Sequence, residues 1–379
     1  VLKQGIFAVI ILMSVACSSD PGTTGSTCTN LNQSGSAFVP RNIWAWRNSS
    51  STTDPTDIIN NKSARTEFFT FAENHHIKTV YVSVRTMLER YGTLSPDTLT
   101  ETNLPEFLDL ASVRCMEVHF LIGNSGSYLS DAETASDFPT MTGLATNAKN
   151  YIQSLTSTKP TAVHWDVEPQ ALGDWSTRKQ EYVQRLVNAF QSTRATLKTA
   201  DIDQAADIPH FWESADYANT SCDPDNNTAS PAYTEQLAYQ CLIRVMDQID
   251  IMDYRDQATT SISQATTEIN FASNTLNFAG NRTTVIIGQA VNSNADLTLT
   301  FYDEIRDATQ GTLALETQLQ LIQNAFNSDA GFGGNGLQST FNSSSPAQSK
   351  YTFPVQRSAG ISIHQYEAYS DASVVENFP

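Results

Sequence analysis

Three ionisable side chains alternate in Thr161-Ala-Val-His-Trp-Asp-Val-Glu-Pro169, namely His164, Asp166 and Glu168. The run is apolar and β-branched, starts after Lys159-Pro160 and stops at a proline, which predicts one buried strand. Side chains alternate along a strand, so His164, Asp166 and Glu168 share one face while Val163, Trp165 and Val167 share the other. Two carboxylates and an imidazole are costly to bury without partners or a task. The task they suit is acid–base chemistry. A carboxyl with a like charge behind it keeps its proton towards neutral pH and can donate it to a leaving group.

Around this stretch the chain alternates strand and helix. Strand candidates are 42–46, 77–84, 116–122, 161–168, 208–213, 248–254, 283–289 and 360–366. Helical patterns fall between them, the longest at 178–199 with Tyr182, Leu186, Val187, Phe190 and Leu197 at helical spacing. Eight such repeats over residues 38–379 predict an α/β fold, a (β/α)8 TIM barrel. A doubly wound open sheet is the alternative, disfavoured by the missing glycine-rich turn after the first strand.

In a barrel the chemistry gathers where strands end. Those ends carry Trp44, Trp46, Arg85, Asp166, Glu168, Trp212, Glu213, Asp253, Tyr254, Gln289, His364, Tyr366 and Glu367. Aromatic faces beside carboxylates suit sugar rings, whose axial hydrogens stack on π faces while the hydroxyls take polar partners. The expectation is a glycoside hydrolase that protonates the leaving oxygen of a polymeric glycan through Glu168. Asp253, Glu213 or Glu367 is the candidate second group, and Gln289 disfavours a glutamate at the end of strand seven.

The stretch Asp166-Val-Glu168-Pro169 resembles the fourth-strand motif of glycoside hydrolase family 18, the chitinase-like barrels. That resemblance implies that Glu168 is the general acid and that Asp166 orients an acetamido group. Met252-Asp-Tyr254 resembles the same family's sixth-strand Met-x-Tyr, implying that Tyr254 holds the reacting acetamido group. His164 and Thr161 stand where the family has aspartates, and Arg255 stands where another is expected. The family's eighth-strand tryptophan is absent, with His364 and Tyr366 nearby. No cofactor is expected and no metal ligand is assigned.

Two other classes compete. A metal-dependent phosphodiesterase barrel would chelate a hard divalent ion through His164, Asp166 and Glu168, but Trp44-Ala-Trp46 and Val82-Ser-Val84 add no ligands. A catalytically silent sugar-binding barrel would keep the aromatics and lose the partners of the acid.

Composition narrows the partners. Lys+Arg number 22 against 40 Asp+Glu, a formal charge of −18, which argues against nucleic acid or anionic lipid as the main partner. Lys3, the apolar run Ile6–Met13 and Ser14-Val-Ala-Cys17 carry the marks of an export signal. The last four resemble a bacterial lipobox, implying lipidation at Cys17 and a cell-envelope location, periplasmic or surface, with membrane contact through the anchor only. Residues 18–37 are small and polar and predict a tether ahead of one monomeric domain at 38–379. An oxidising compartment and an even count of Cys28, Cys115, Cys222 and Cys241 predict disulfides, foremost Cys222–Cys241 across a turn-rich loop. Cys28 with Cys115 is the remaining pairing. Asp223-Pro-Asp225-Asn-Asn227 lacks the glycine and glutamate of a calcium loop, so turn chemistry is expected there.

Overall fold

The computed structural model describes residues 41–75, 77–124, 126–129, 140–214, 217, 220–222, 233–255, 257–273, 283–290, 317–322 and 359–364. Eight strands close into a barrel: β1 Arg41–Ala45, β2 Ile77–Ser83, β3 Glu117–Asn124, β4 Ala162–Val167, β5 Asp203–Pro209, β8 Gln248–Met252, β9 Thr284–Ala290 and β10 Ala359–His364. Each pairs in parallel with its neighbours, and β10 closes on β1. This is the expected (β/α)8 barrel. A short antiparallel pair, β6 Thr220–Cys222 and β7 Tyr233–Gln236, is inserted between β5 and β8.

The flanking helices are α1 Lys62–Asn74, α2 Arg85–Arg90, α3 Thr98–Val113, α4 Met141–Ser154, α5 Trp175–Lys198, α6 Ala238–Val245 and α7 Ala258–Ser273. Their starts follow capping chemistry: Asn61 accepts from the amides of Ser63 and Ala64, and Thr140 from that of Gly143. On α5 the buried face is Tyr182, Val183, Leu186, Val187, Phe190, Thr193 and Leu197, the stripe that the sequence predicts.

Strand alternation divides the core in two. Outward residues such as Ile43, Val80, Val82, Phe120, Val163, Trp165, Ile208 and Ile251 join one large apolar cluster under the helices. Inward, Trp44, Tyr81 and Leu121 form a separate cluster at the centre of the barrel, with Trp46 packed on it. The functional side chains stand on this inner face, above and beside that aromatic plug.

Strand five lies earlier than its apolar run suggests. It occupies Asp203–Pro209, and His210–Glu213 turn into a 3-10 segment after the proline. Residues Asp203-Gln-Ala-Ala look unlike a strand, yet Gln204 is fully buried and satisfied. Its amide donates to the carbonyls of Phe190 and Val245 at 3.0 and 3.3 Å and its oxygen accepts from Thr193 at 2.6 Å.

Cys222 and Cys241 are bonded, with Cα atoms 5.5 Å apart, tying β6 to α6 as expected. Cys115 is also disulfide-bonded, while Cys28, Cys17 and the tether lie outside the described residues. Among the described residues no helix is long and apolar enough to cross a membrane.

Candidate active site

Three neighbouring strands build an acidic wall on the inner face of the barrel. Asp207 on β5 pairs in register with Asp250 on β8. Trp165 on β4 pairs with Ala206, so Asp166 and Asp207 follow side by side one residue later. Glu168 stands two residues beyond Asp166, at the mouth, as the residue before a 3-10 turn Pro169–Ala171. That turn is held from below by Gly126, whose φ of +80° and close approach to Glu168 and Pro169 leave no room for a side chain: a Cβ would sit 2.5 Å from Pro169 Cα.

The lower members of the wall are fixed by hydrogen bonds. Trp44 Nε1–H donates to Asp207 Oδ2 at 3.1 Å, and His164 Nε2 lies 3.0 Å from Asp207 Oδ1. Tyr81 donates its hydroxyl to Asp250 Oδ2 at 2.8 Å and accepts from Asn42 at 2.6 Å and Gln248 at 2.7 Å. Gln248 also donates to Asp250 Oδ1 at 2.7 Å. The upper members are less occupied. Asp166 Oδ1 is buried with no hydrogen-bond partner among the described residues, and Glu168 accepts from Gln170 Nε2 at 3.1 Å.

Burial and mutual repulsion keep protons on this wall. Burial, reinforced by the charges of Asp207 and Glu168, holds Asp166 well above the usual carboxylate range. Burial does the same to Asp207, where the Trp44 bond pulls the other way. Asp250 is pushed up to about 6, chiefly by burial, and Glu168 is raised by burial. Burial brings His164 down to about 4, so its imidazole is neutral at physiological pH. Tyr254 is raised well above 10 by burial and then by the charges of Asp207, Asp166, Glu168 and Asp250. It therefore remains a neutral hydroxyl within the field of all four acids.

One atom each of His164, Asp207 and Asp250 falls within 4.8 Å of the others, close enough for one cation to be considered. Asp207 Oδ2 accepts from Trp44 and the Asp250 oxygens accept from Tyr81 and Gln248, while Asp207 Oδ1 and both His164 ring nitrogens have no hydrogen-bond partner among the described residues.

The structure brings Asp166, Glu168, Tyr254, Trp46 and His364 together at the mouth. Trp46 donates from Nε1 to His364 Nε2 at 2.8 Å, and the His364 ring stacks on Tyr254 with centroids 5.6 Å apart. Arg85 opens α2 at the edge, bonded to Glu89 at 2.7 Å and to the Gly123 carbonyl at 3.0 Å.

Several expected contacts are corrected. Trp44 and His164 are fully buried below the mouth, so they support Asp207 and do not reach a ligand. Trp212 is fully buried in the outer core, stacked on Trp175 at 6.4 Å, because strand five ends before it. Gln289 faces outward and bonds the Asp253 carbonyl at 3.0 Å and Ser261 of α7. Asp253 is buried beside it, raised to about 8 by burial against the pull of Arg255, with Glu213 acting on it from the 3-10 turn. Asp253 and Glu213 thus belong to a second acidic group on the helix side, apart from the wall. Tyr366 and Glu367 lie outside the described residues.

Sequence reasoning missed Asp207 and Asp250. The available signal was the pair Ala-Asp207-Ile and Ile-Asp250-Ile, lone carboxylates inside short apolar contexts at matching positions of adjacent strands.

No family model and no curated protein matches the sequence. Among solved structures, the chain is similar to a GH18 chitinase from Pseudoalteromonas aurantia, at 12% identity over 89% of this chain and 97% of that chain, with a TM-score of 0.47. It is similar to the exo-beta-1,4-mannosidase Op5Man5 from Opitutaceae bacterium strain TAV5, at 14% identity over 89% of this chain and 55% of that one, with a TM-score of 0.45. The spore cortex-lytic enzyme SleL of Bacillus megaterium QM B1551 is similar at 10% identity over 70% and 55%, with a TM-score of 0.38. At these identities and scores the likenesses assign no activity.

Proposed function

We propose that this barrel is a glycoside hydrolase acting on a polymeric, N-acetylated glycan, with Glu168 as its general acid. The observation that carries the reading is the position of Glu168: half-buried at the mouth, raised by burial, directly ahead of Asp166 and, with it, acting on Tyr254. A raised carboxyl holds its proton to higher pH than an ordinary one does. In the bond-breaking step that proton passes to the glycosidic oxygen as the bond from the anomeric carbon to it breaks. The acetamido oxygen of the substrate forms the new bond to the anomeric carbon, so no protein nucleophile is needed. Asp166, with its unpartnered Oδ1, and the neutral Tyr254 hydroxyl are the groups suited to hold that acetamido group. Water then attacks the anomeric carbon, the bond from that carbon to the acetamido oxygen breaks, and Glu168, now a carboxylate, takes the proton of the water. The outward placement of Asp253 and Gln289 supports this route over one with a protein nucleophile on β8 or β9.

Glu168→Gln keeps shape and removes the transferable proton. Turnover of chito-oligosaccharide is expected to fall by about 10²–10⁴-fold with binding retained. Turnover unchanged by the substitution would reject the assignment. The wild-type basic limb should lie above the ordinary carboxylate range, since the proton lost there is the one that burial retains.

The proposal includes export and lipid attachment at Cys17, motivated by the apolar run and Ser14-Val-Ala-Cys17. Cys17→Ser should move the protein from the membrane fraction to the soluble one, and unaltered fractionation would count against it.

A further inference from the structure

We propose that Trp46 is the sugar-stacking platform of the cleft, seated by Gly123 and locked by His364. This rests on the glycan reading above and identifies which face of the mouth meets a pyranose ring. Trp46 follows the end of β1, but its indole reaches past β2 to lie on β3. A Cβ added to Gly123 would be 2.5 Å from Trp46 Cζ3 and 3.0 Å from Cη2, so the ring rests on the bare backbone of the glycine. At its other edge, Nε1–H donates to His364 Nε2 on β10 at 2.8 Å. The indole is therefore held at both ends across the mouth.

The tautomer of His364 follows from this bond. An indole N–H only donates, so Nε2 must accept and the ring proton resides on Nδ1. Burial lowers His364 to about 4, which keeps this arrangement constant through neutral pH. Gly123 is itself fixed, its carbonyl bonded by Arg85 at 3.0 Å.

Position and exposure separate Trp46 from the other indoles. Gly123 pairs in register with Asp166, so the indole covers the strand adjacent to that carboxylate, about 4.8 Å away across the sheet. Trp44, Trp165 and Trp212 are fully buried and the half-buried Trp175 packs on the outer core against Trp212 and Tyr182, whereas Trp46 keeps part of its surface open at the mouth. A hydrophobic face beside a carboxylate pair is what a pyranose with axial C–H groups on one side and an acetamido group on its edge would occupy.

The test uses binding, read by calorimetry with the tetrasaccharide of β-1,4-linked N-acetylglucosamine, in Glu168→Gln protein so that no turnover intervenes. Trp46→Ala should weaken binding by about 3- to 10-fold, the range of one aromatic contact. Gly123→Ala should produce a similar loss, since the φ of Gly123 is outside the left-handed region and the three atoms nearest the added methyl all belong to the indole. In the double variant the losses should not add, because both act through one ring. Trp46→Phe retains a face and should bind better than Trp46→Ala; it also replaces that variant in the cycle should the alanine protein not fold. Undiminished binding by Trp46→Ala, a Gly123→Ala loss that persists in the absence of the indole, or no binding of the tetrasaccharide by the parent would each overturn the platform. Intact binding in Trp46→Ala with turnover lost in Glu168→Gln rejects the platform and leaves the acid standing; the opposite pattern rejects the acid alone.

Discussion

The barrel holds two buried acidic groups, one on its inner face with Asp207 of β5 and Asp250 of β8, the other outside it with Asp253, just past the end of β8, and Glu268 of α7. On the inner face, Asp250 receives Tyr81 and Gln248, and Asp207 receives Trp44 with His164 alongside. On the outer face, both carboxylate oxygens of Asp253 and both of Glu268 on α7 have no hydrogen-bond partner among the described residues. Both groups are raised by burial, the first with Asp250 near 6, the second with Asp253 near 8 and Glu268 near 9. Donors that favour the charged form keep Asp250 closer to titration near neutral pH, and the lack of donors keeps Asp253 and Glu268 protonated. Proximity to the mouth then decides use. The inner wall leads through Asp166 to Glu168, whereas the outer group ends against α7.

The comparison breaks most sharply at Tyr81. Its hydroxyl is shared by Asn42, Gln248 and Asp250, all within 2.8 Å, while its ring lies 4.1 Å from that of His164. Tyr81→Phe preserves the ring packing and strips the donor from Asp250 and the acceptor from two amides. The expected loss is about 3 kcal/mol of unfolding free energy, since several buried polar groups lose a partner at once. Denaturant unfolding measures it. A loss below about 0.5 kcal/mol, the scale of an ordinary surface substitution, would mean that the inner network is not what orders the wall.

Much of the barrel is legible in the sequence, but the division between the two acidic groups is not. The organising strand, its face assignment and the count of eight strands follow from period-two alternation with clean proline and polar boundaries. The helix stripe on α5 follows from period 3.6. What was hidden has identifiable causes. Strand five begins with Asp-Gln-Ala-Ala, and only the tertiary partners Phe190, Val245 and Thr193 make a buried glutamine acceptable there. That shift of register hid Asp207 and promoted Trp212 and Glu213 to a mouth they do not reach. Asp253 was misplaced for a related reason. Sequence adjacency to Tyr254 says nothing about which face a residue takes after a strand ends, and the Asp253 amide bonds the Gly288 carbonyl at 3.2 Å, beside Gln289. Gly123 carried no signal either, because a glycine inside a strand declares its purpose only when the ring resting on it is known.

The smallest expected effect lies in the outer group and has the opposite sign. Glu268 is fully buried on α7, raised to about 9 mainly by burial, with Glu213 and Asp253 adding to the shift. Its folded pKa exceeds the unfolded value near 4.3, so the unfolded chain releases this proton first as pH rises. Stability is therefore complete below about pH 4 and declines as pH climbs towards 9, where the folded form also ionises. Glu268→Gln removes the titration while keeping the shape of the side chain. The variant should match the wild type at pH 4 and exceed it at pH 8, by about 1 kcal/mol or some 2–4 °C in melting temperature. Asp253 titrates in the same direction and stays in the variant, so part of the slope survives. The inner wall supplies the contrast: an amide at Asp250 has one oxygen to accept from either Tyr81 or Gln248, and its nitrogen would face the other donor, so the network would have to choose a new orientation. Melting curves across pH 4–8 separate the cases. Equal gains at both ends of the range would mean that packing against α7, and not the buried proton, sets the cost of Glu268.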